Sequence, residues 1–243
     1  LILKPTSSNG QEDGEGLVLS AKIFELKQQA SLMEIAEKLK DFKVSETQKH
    51  GDKEFELVTD LTDLDLKNDA LYCTFSKDRV IYVNRREGLT PIVATVKATI
   101  FFQKKNNKIY LTVVQNKHFA NYVASFLSHH LFLNYRSIVE ARIPPENLQR
   151  HHEANPESTK VIFFDNLDYP GVDKVALYGK SLISTGKYEE YLAHGKIWYL
   201  VFSVKGANAV LGATRNGVVV SFSRMSEGQF IQYILDNVFP LLD

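Results

Sequence analysis

The residues best suited to bind a partner lie in one basic segment. In Lys97-Ala98-Thr99-Ile100-Phe101-Phe102-Gln103, strand alternation puts Lys97, Thr99, Phe101 and Gln103 on one face and Ala98, Ile100 and Phe102 on the other. A paired strand could set Tyr110 and Thr112 beside the first face. Aromatic rings among lysines on an open sheet are a stacking platform for single-stranded nucleic acid, and Arg85, Arg86, Lys104, Lys105 and Lys108 would supply phosphate contacts. The same face could equally meet a protein or lie under another strand.

Other chemistry is thinner. Gly179-Lys180-Ser181 ends like a phosphate loop, but Lys174 stands where the first glycine belongs and the triplet sits in a strand-like run. His129-His130 and His151-His152-Glu153 are adjacent pairs. Neighbours on a helix point about 100° apart and do not easily share one ion, so a metal site would need the fold to bring the two pairs together. His130 sits on an apolar helix face, which suits a hydrogen-bonded core residue. Cys73 lies in an apolar strand, where a thiol packs rather than reacts, and no Gly-x-Ser-x-Gly elbow is present. Asp60, Asp63 and Asp65 could serve a divalent-metal nuclease, but no lysine or histidine in a defined register accompanies them. These residues assign no catalytic group, no metal ligand and no cofactor.

Charge narrows the partner. Over 243 residues, 29 Lys and Arg balance 29 Asp and Glu, but residues 9–69 hold fifteen acids against eight bases, and residues 77–118 nine bases against two acids. A zero total argues against a dedicated duplex-DNA binder, while the local basic segment keeps a smaller anionic partner in play. A single cysteine excludes an intrachain disulfide and a multi-cysteine zinc site, and it suits a reducing, cytoplasmic setting. No apolar run reaches the roughly 18 residues of a membrane span.

The elements that would position these residues follow from periodicity. Residues 5–16 carry no apolar side chain beyond Pro5, which predicts a flexible tail over residues 1–16. A strand is expected over 17–27, then a helix from Ser31 with a capping box to Glu34. Strands follow over 55–59, 71–75, 80–83, 92–102 and 109–114, with turns at Ser76-Lys77-Asp78 and at 104–107. A helix with Phe119, Tyr122, Val123, Phe126, Leu127 and His130 on one face closes this half. The second half repeats the order: a strand over 135–143, a helix from Pro144-Pro145 to about His152, strands over 160–164, 175–183 and 197–204 with a short helix near 188–193, a hairpin on Asn216-Gly217, and a last helix from the Ser226–Gln229 capping box. Residues 107–113 and 216–222 match in pattern, as do Phe119–Val123 and Phe230–Ile234, so a duplicated unit is expected.

This order resembles the TATA-binding-protein fold, two such units forming a saddle. The likeness is strongest over residues 211–242, where a hairpin on Asn216-Gly217 leads to a helix ending in Phe239-Pro240-Leu241-Leu242, and Asp168-Tyr169-Pro170-Gly171 is similar to a Phe-Pro-Gly segment of that family. Where the family places intercalating phenylalanines before the hairpin turns, this chain has Thr214-Arg215 and Lys104-Lys105. Wedges that unstack base steps are apolar, so the resemblance implies an architecture and not TATA-box recognition.

The sequence thus predicts an α+β protein of two similar halves, 17–134 and 135–243, which could form one continuous domain. Each half is a strand–helix–antiparallel strands–helix unit with helices over one sheet face. The expected function is a non-enzymatic binding or regulatory module with a protein partner and no membrane. Single-stranded nucleic-acid binding through the basic hairpins of 77–118 is the second reading, and a metal-dependent hydrolase or nuclease the third.

Overall fold

The computed structural model describes residues 18–67, 69–86 and 88–243, so the predicted tail of residues 1–16 lies outside the described residues. The first half runs β1 (Ser20–Leu26), α1 (Leu32–Leu39), β2 (Lys43–His50), β3 (Lys53–Lys67), β4 (Ala70–Arg85), β5 (Gly88–Lys105), β6 (Lys108–Val114) and α2 (Lys117–Phe132). The second runs β7 (Ile138–Glu140), α3 (Pro145–Ala154), β8 (Thr159–Asp165), β9 (Lys174–Tyr178), α4 (Gly186–His194), β10 (Lys196–Ser203), β11 (Val210–Thr214), β12 (Val218–Ser221) and α5 (Glu227–Tyr233). A π turn over Ile234–Val238 and a 3-10 turn over Phe239–Leu241 continue the last helix. Both predicted capping boxes form, Ser31 with Glu34 and Ser226 with Gln229.

All strands join one antiparallel sheet in the order β2-β3-β4-β5-β6-β1-β12-β11-β10-β8-β9, with β7 pairing the C-terminal end of β1. The first half is a plain meander back to β1. In the second, β9 takes the outer edge and α4 returns the chain so that β10 lies beside β8. The fold is α+β.

Within each half the helices cover one face, but the two halves use opposite faces. Phe24, Leu26, Phe75, Ile100, Phe102, Leu111 and Val113 pack under α1 and α2. Ala21, Ile23, Phe164, Leu200, Leu211 and Val219 pack under α3, α4 and α5. Strict alternation along β1 divides its side chains between the two cores. The helices thus change sides at β1.

Several expected boundaries shift, each because pairing across the sheet outweighs local propensity. Ser76-Lys77-Asp78 is not a turn but the middle of β4, because both flanks are laddered, Lys77 opposite Thr59 and Val96. The Asp78 carboxylate accepts from Val58 N–H at 3.1 Å and from the Thr95 hydroxyl at 2.6 Å, so its hydrogen bonds run across strands. β2, whose side chains are exposed apart from half-buried His50, carries no alternation and was not expected. The strand expected over 135–143 is only Ile138–Glu140, and the one over 175–183 stops at Tyr178, with Gly179-Lys180-Ser181 in the bend beyond it. The apolar face of α2 centres on Ala120, Val123, Ala124, Leu127 and Leu131, which leaves His130 exposed rather than in the core.

The β11–β12 turn also differs from a two-residue type I′ turn. Gly217 N–H bonds Thr214 C=O at 3.1 Å, and Gly217 has φ +73° while Asn216 has no positive φ. This is a turn over Thr214–Gly217 with glycine in the left-handed position that follows. A Cβ at Gly217 would lie 2.7 Å from the Ile23 carbonyl oxygen, on β1 itself. Gly217→Val combines a disfavoured φ with a backbone clash at the junction of the halves, and is expected to destabilise by about 1–3 kcal/mol. Urea unfolding of the two proteins checks it; equal midpoints would contradict the assignment.

Candidate functional site

The register of β5 and β6 matches the expected face: Phe101 stands opposite Thr112, and Gln103 opposite Tyr110. That face is not open. Phe101 is 0% exposed and Tyr110 1%, because the C-terminal segment lies over them. Phe239 stacks on Phe101 at 6.2 Å and meets Tyr110 edge-on at 5.9 Å. Tyr110 Oη donates to the Asp243 carbonyl, and Lys105 Nζ to that of Leu242. Burial, helped by Glu25 and Asp243, pushes the Tyr110 phenol up to about 12. Neither ring can stack on a base.

The basic residues are not gathered either. Arg85 and Arg86 are exposed at one end of the β4–β5 hairpin, while Lys104, Lys105 and Lys108 stand at the far end of β5. Seventeen residue steps separate these ends, roughly 55 Å of extended chain. Lys97 is exposed on the strand between them. Lys108 approaches Glu25 at 3.6 Å, and Lys104 is exposed.

An open aromatic face exists in the second half instead, on the side away from α3–α5. Val161, Phe163 and Asp165 of β8 share it with Lys174, Ala176 and Tyr178 of β9 and with Tyr199 and Val201 of β10. A register shift between Ile197 and Tyr199 adds one residue to β10 at Trp198. Such a bulge re-aims a side chain, and the Trp198 ring comes to the same face as Tyr199, 5.6 Å from it and 5.8 Å from Phe163. Phe163 also meets Tyr199 at 5.2 Å and Tyr178 at 6.2 Å. Among the described residues no helix covers these rings: Tyr178 is 70% exposed, and Phe163, Trp198 and Tyr199 are half-buried. Tyr199 lies over Gly212, where a Cβ would be 2.3 Å from its hydroxyl oxygen. Burial, then the neighbouring Tyr178, raises the Tyr199 phenol to about 12.

Cations border the rings. Lys174 Nζ sits 4.6 Å from the centroid of Trp198, a cation–π contact. Lys196 and Asp165 are opposite on the same face, and Asp165 is bonded to Arg215 at 2.6 Å. Trp198 also walls a groove of about 940 Å³ with Arg142, Lys196, Arg215 and Asn216. Among the described residues, Arg142, Lys174 and Lys196 make no ion pair, and Trp198 Nε1 and Asp165 Oδ1 are buried without a hydrogen-bond partner. Sequence reading missed this face because β8 (Val161-Ile162-Phe163-Phe164) and β10 (Ile197-Trp198-Tyr199-Leu200-Val201-Phe202) are apolar on both sides, so alternation carries no signal there.

The histidine pairs lie on opposite faces of the sheet, His129-His130 on α2 and His151-His152 on α3, and no ion can bridge them. Among the described residues no three His, Cys, Asp or Glu are grouped closely enough to hold a metal. His130 Nδ1 contacts the Phe126 carbonyl oxygen at 2.9 Å, and its ring stacks on Phe126. Cys73 is buried, and burial pushes its thiol up to about 12, consistent with packing. Among the described residues no helix is long and apolar enough to cross a membrane. No family model matches the chain, and no curated protein is detectably similar to it.

His152 makes a stability prediction. It is 0% exposed, with Nδ1 on the Thr159 hydroxyl at 2.8 Å, its ring 4.8 Å from that of Tyr188, and Nε2 unpartnered. Burial pulls its pKa below the ordinary value; Glu153 opposes that and His151 adds to it. His151, against Phe202, is lowered by burial as well. The unfolded chain takes up these protons below about pH 6.5 while the fold resists them, so their contribution to stability is constant above that pH and falls below it. Each withheld proton contributes up to about 1.4 kcal/mol per pH unit. Urea midpoints between pH 8 and pH 5 should show the fall, and His152→Asn should flatten it; an unchanged slope would exclude His152 as a cause.

Proposed function

We propose that the protein is a non-enzymatic binding module that lays a single-stranded nucleic acid across the uncovered face of its second half. The observation that carries this reading is the cluster of Phe163, Tyr178, Trp198 and Tyr199 on one antiparallel face that no helix covers. Stacking on such rings contributes about 1–3 kcal/mol per base and tolerates any sequence. Arg142, Lys174 and Lys196 stand at the border of the rings as phosphate partners. A formal net charge of zero keeps non-specific duplex binding weak and leaves stacking as the main source of affinity.

The same reading takes the two halves as divergent copies of one unit of TATA-binding-protein type, working in the cytoplasm. Its support is that each half opens strand–helix and closes on a hairpin and a helix, and the likeness of Phe119–Val123 to Phe230–Ile234 after each final strand. In the first copy the ligand face is closed by the C-terminal segment; in the second it stays open.

Trp198 is the sole tryptophan, so its emission reports on this face alone. Titration with an unlabelled single-stranded oligonucleotide at low salt should quench it. Trp198→Ala and Phe163→Ala, followed with a labelled oligonucleotide, should each weaken binding by about five- to a hundredfold, the worth of one stacked base. Replacing Lys104, Lys105 and Lys108 together by alanine should leave the affinity within about twofold, because the tip of the β5–β6 hairpin is remote from the rings. Absence of quenching at any protein concentration, or loss of binding in the triple lysine variant alone, would overturn the assignment.

A further inference from the structure

The two outer strands of the sheet are β2 and β9, and they are unlike. β2 is exposed along nearly its whole length and carries Lys43, Glu46 and Lys49, charges that discourage pairing with another chain. β9, Lys174-Val175-Ala176-Leu177-Tyr178, has one charge and three half-buried apolar residues. Its hydrogen-bonding pattern fixes which amides face outward. Gly179 N–H bonds Lys160 C=O, and in the antiparallel register Leu177 stands opposite Ile162 and Val175 opposite Phe164. The two-residue period of the ladder turns Leu177 and Val175 toward β8 and leaves the N–H and C=O groups of Lys174, Ala176 and Tyr178 pointing away from the sheet. Among the described residues none of these outward groups has a hydrogen-bond partner.

We infer that β9 pairs with β9 of a second copy of this chain, antiparallel, about a two-fold axis through Ala176. The strand is complementary to itself in this register alone over its full length. Ala176 meets Ala176 of the partner copy and exchanges two backbone hydrogen bonds; Lys174 meets the partner's Tyr178 and exchanges two more at each end. Both residues of each Lys174–Tyr178 pair lie on the aromatic face, so the Lys174 stem, whose ammonium lies over Trp198 of its own copy, packs along the partner's Tyr178 ring. Val175 stands opposite the partner's Leu177 on the other face. An in-sheet two-fold of this kind keeps the same face of both copies on the same side, which joins the two Phe163–Tyr178–Trp198–Tyr199 clusters into one platform. The pairing follows from the edge itself and does not depend on what the platform binds.

Light scattering after size exclusion should give twice 27.6 kDa at high protein concentration, falling toward 27.6 kDa on dilution. Ala176→Pro removes an outward N–H without touching the β8 ladder, and should weaken association about tenfold or more with an unchanged circular-dichroism spectrum. The register is tested separately by air oxidation of Ala176→Cys. Hydrogen-bonded antiparallel partners have Cα atoms about 5.5 Å apart, within disulfide range, so this variant should cross-link to a covalent dimer. Tyr178→Cys, four residues from its own copy across the axis, should not. Cys73 is 2% exposed and gives no background. A monomer at every concentration, or a dimer in which Ala176→Cys fails to cross-link, would overturn the inference even if Ala176→Pro failed to fold.

Discussion

Strand β1 has no free side. β6 pairs one flank, β12 and β7 share the other, and both of its faces are buried. Its alternation is therefore the constraint from which the rest follows: Ala21 and Ile23 belong to the core of the second half, Phe24 and Leu26 to the core of the first. A one-residue slip would send each set into the wrong core, and with one face polar-tolerant on neither side, no register but this one satisfies both halves. Lys22 sharpens the constraint. It is fully buried, and its ammonium bonds Glu140 of β7 and Asn121 of α2. Such a charge is costly unless paired, so β1, β7 and α2 must close together around it. Because Glu140 stays half exposed, the pair keeps part of its hydration, which lowers the desolvation cost relative to a fully buried bridge.

Changing helix faces at β1 leaves each half with a bare face on the opposite side, and the two are treated differently. In the first half the chain's own C-terminal residues fill the space. Phe239 reaches across from the second core to Phe101 and Tyr110, and the last carbonyls accept from Tyr110 and Lys105. This tie also holds the halves together away from β1. In the second half α2 ends its coverage at β1, β6 and β7, and the rings of β8, β9 and β10 stay accessible. The aromatic surface is thus covered in the first half and left accessible in the second, and an exposed ring cluster is a surface on which burial would be favourable.

Much of the element order was legible in the sequence because it rests on local chemistry. The Ser31 and Ser226 capping boxes and the β11–β12 hairpin on Gly217 are short-range signals, and each sits where residue types demand. What was not legible is set by distant neighbours. Ser76-Lys77-Asp78 has turn composition, yet two flanking strands hold it extended. The choice of covered face in each half depends on β1 being shared, which no local pattern encodes. For the candidate site the failure was of a different kind. Two-residue alternation places Tyr110 and Thr112 beside the Phe101 face, but exposure depends on where Phe239 docks, well over a hundred residues along the chain. In β8 and β10 the apolar residues occupy both faces, so the sequence holds no contrast from which the open side could be read.

The bulge at Trp198 gives up ladder regularity and changes the surface that β10 presents. Regular pairing would alternate Trp198 and Tyr199 between the faces and bury one ring in the core of the second half. The extra residue in β10 disturbs the ladder, and beside it Trp198 Nε1 and Asp165 Oδ1 are buried and unpaired, each at a cost of about 1–3 kcal/mol. In return, two adjacent residues present rings to one side, Phe163 packs against both, and Gly212 provides the only side-chain-free floor on which Tyr199 can lie flat among its cross-strand neighbours. Packing alone does not require this arrangement, since the core beneath is already closed by Leu200, Phe202 and Leu211. The Trp198 indole borders a groove wide enough for a ligand, and a ligand that supplies an acceptor to its unpaired N–H recovers the cost that the free protein carries there.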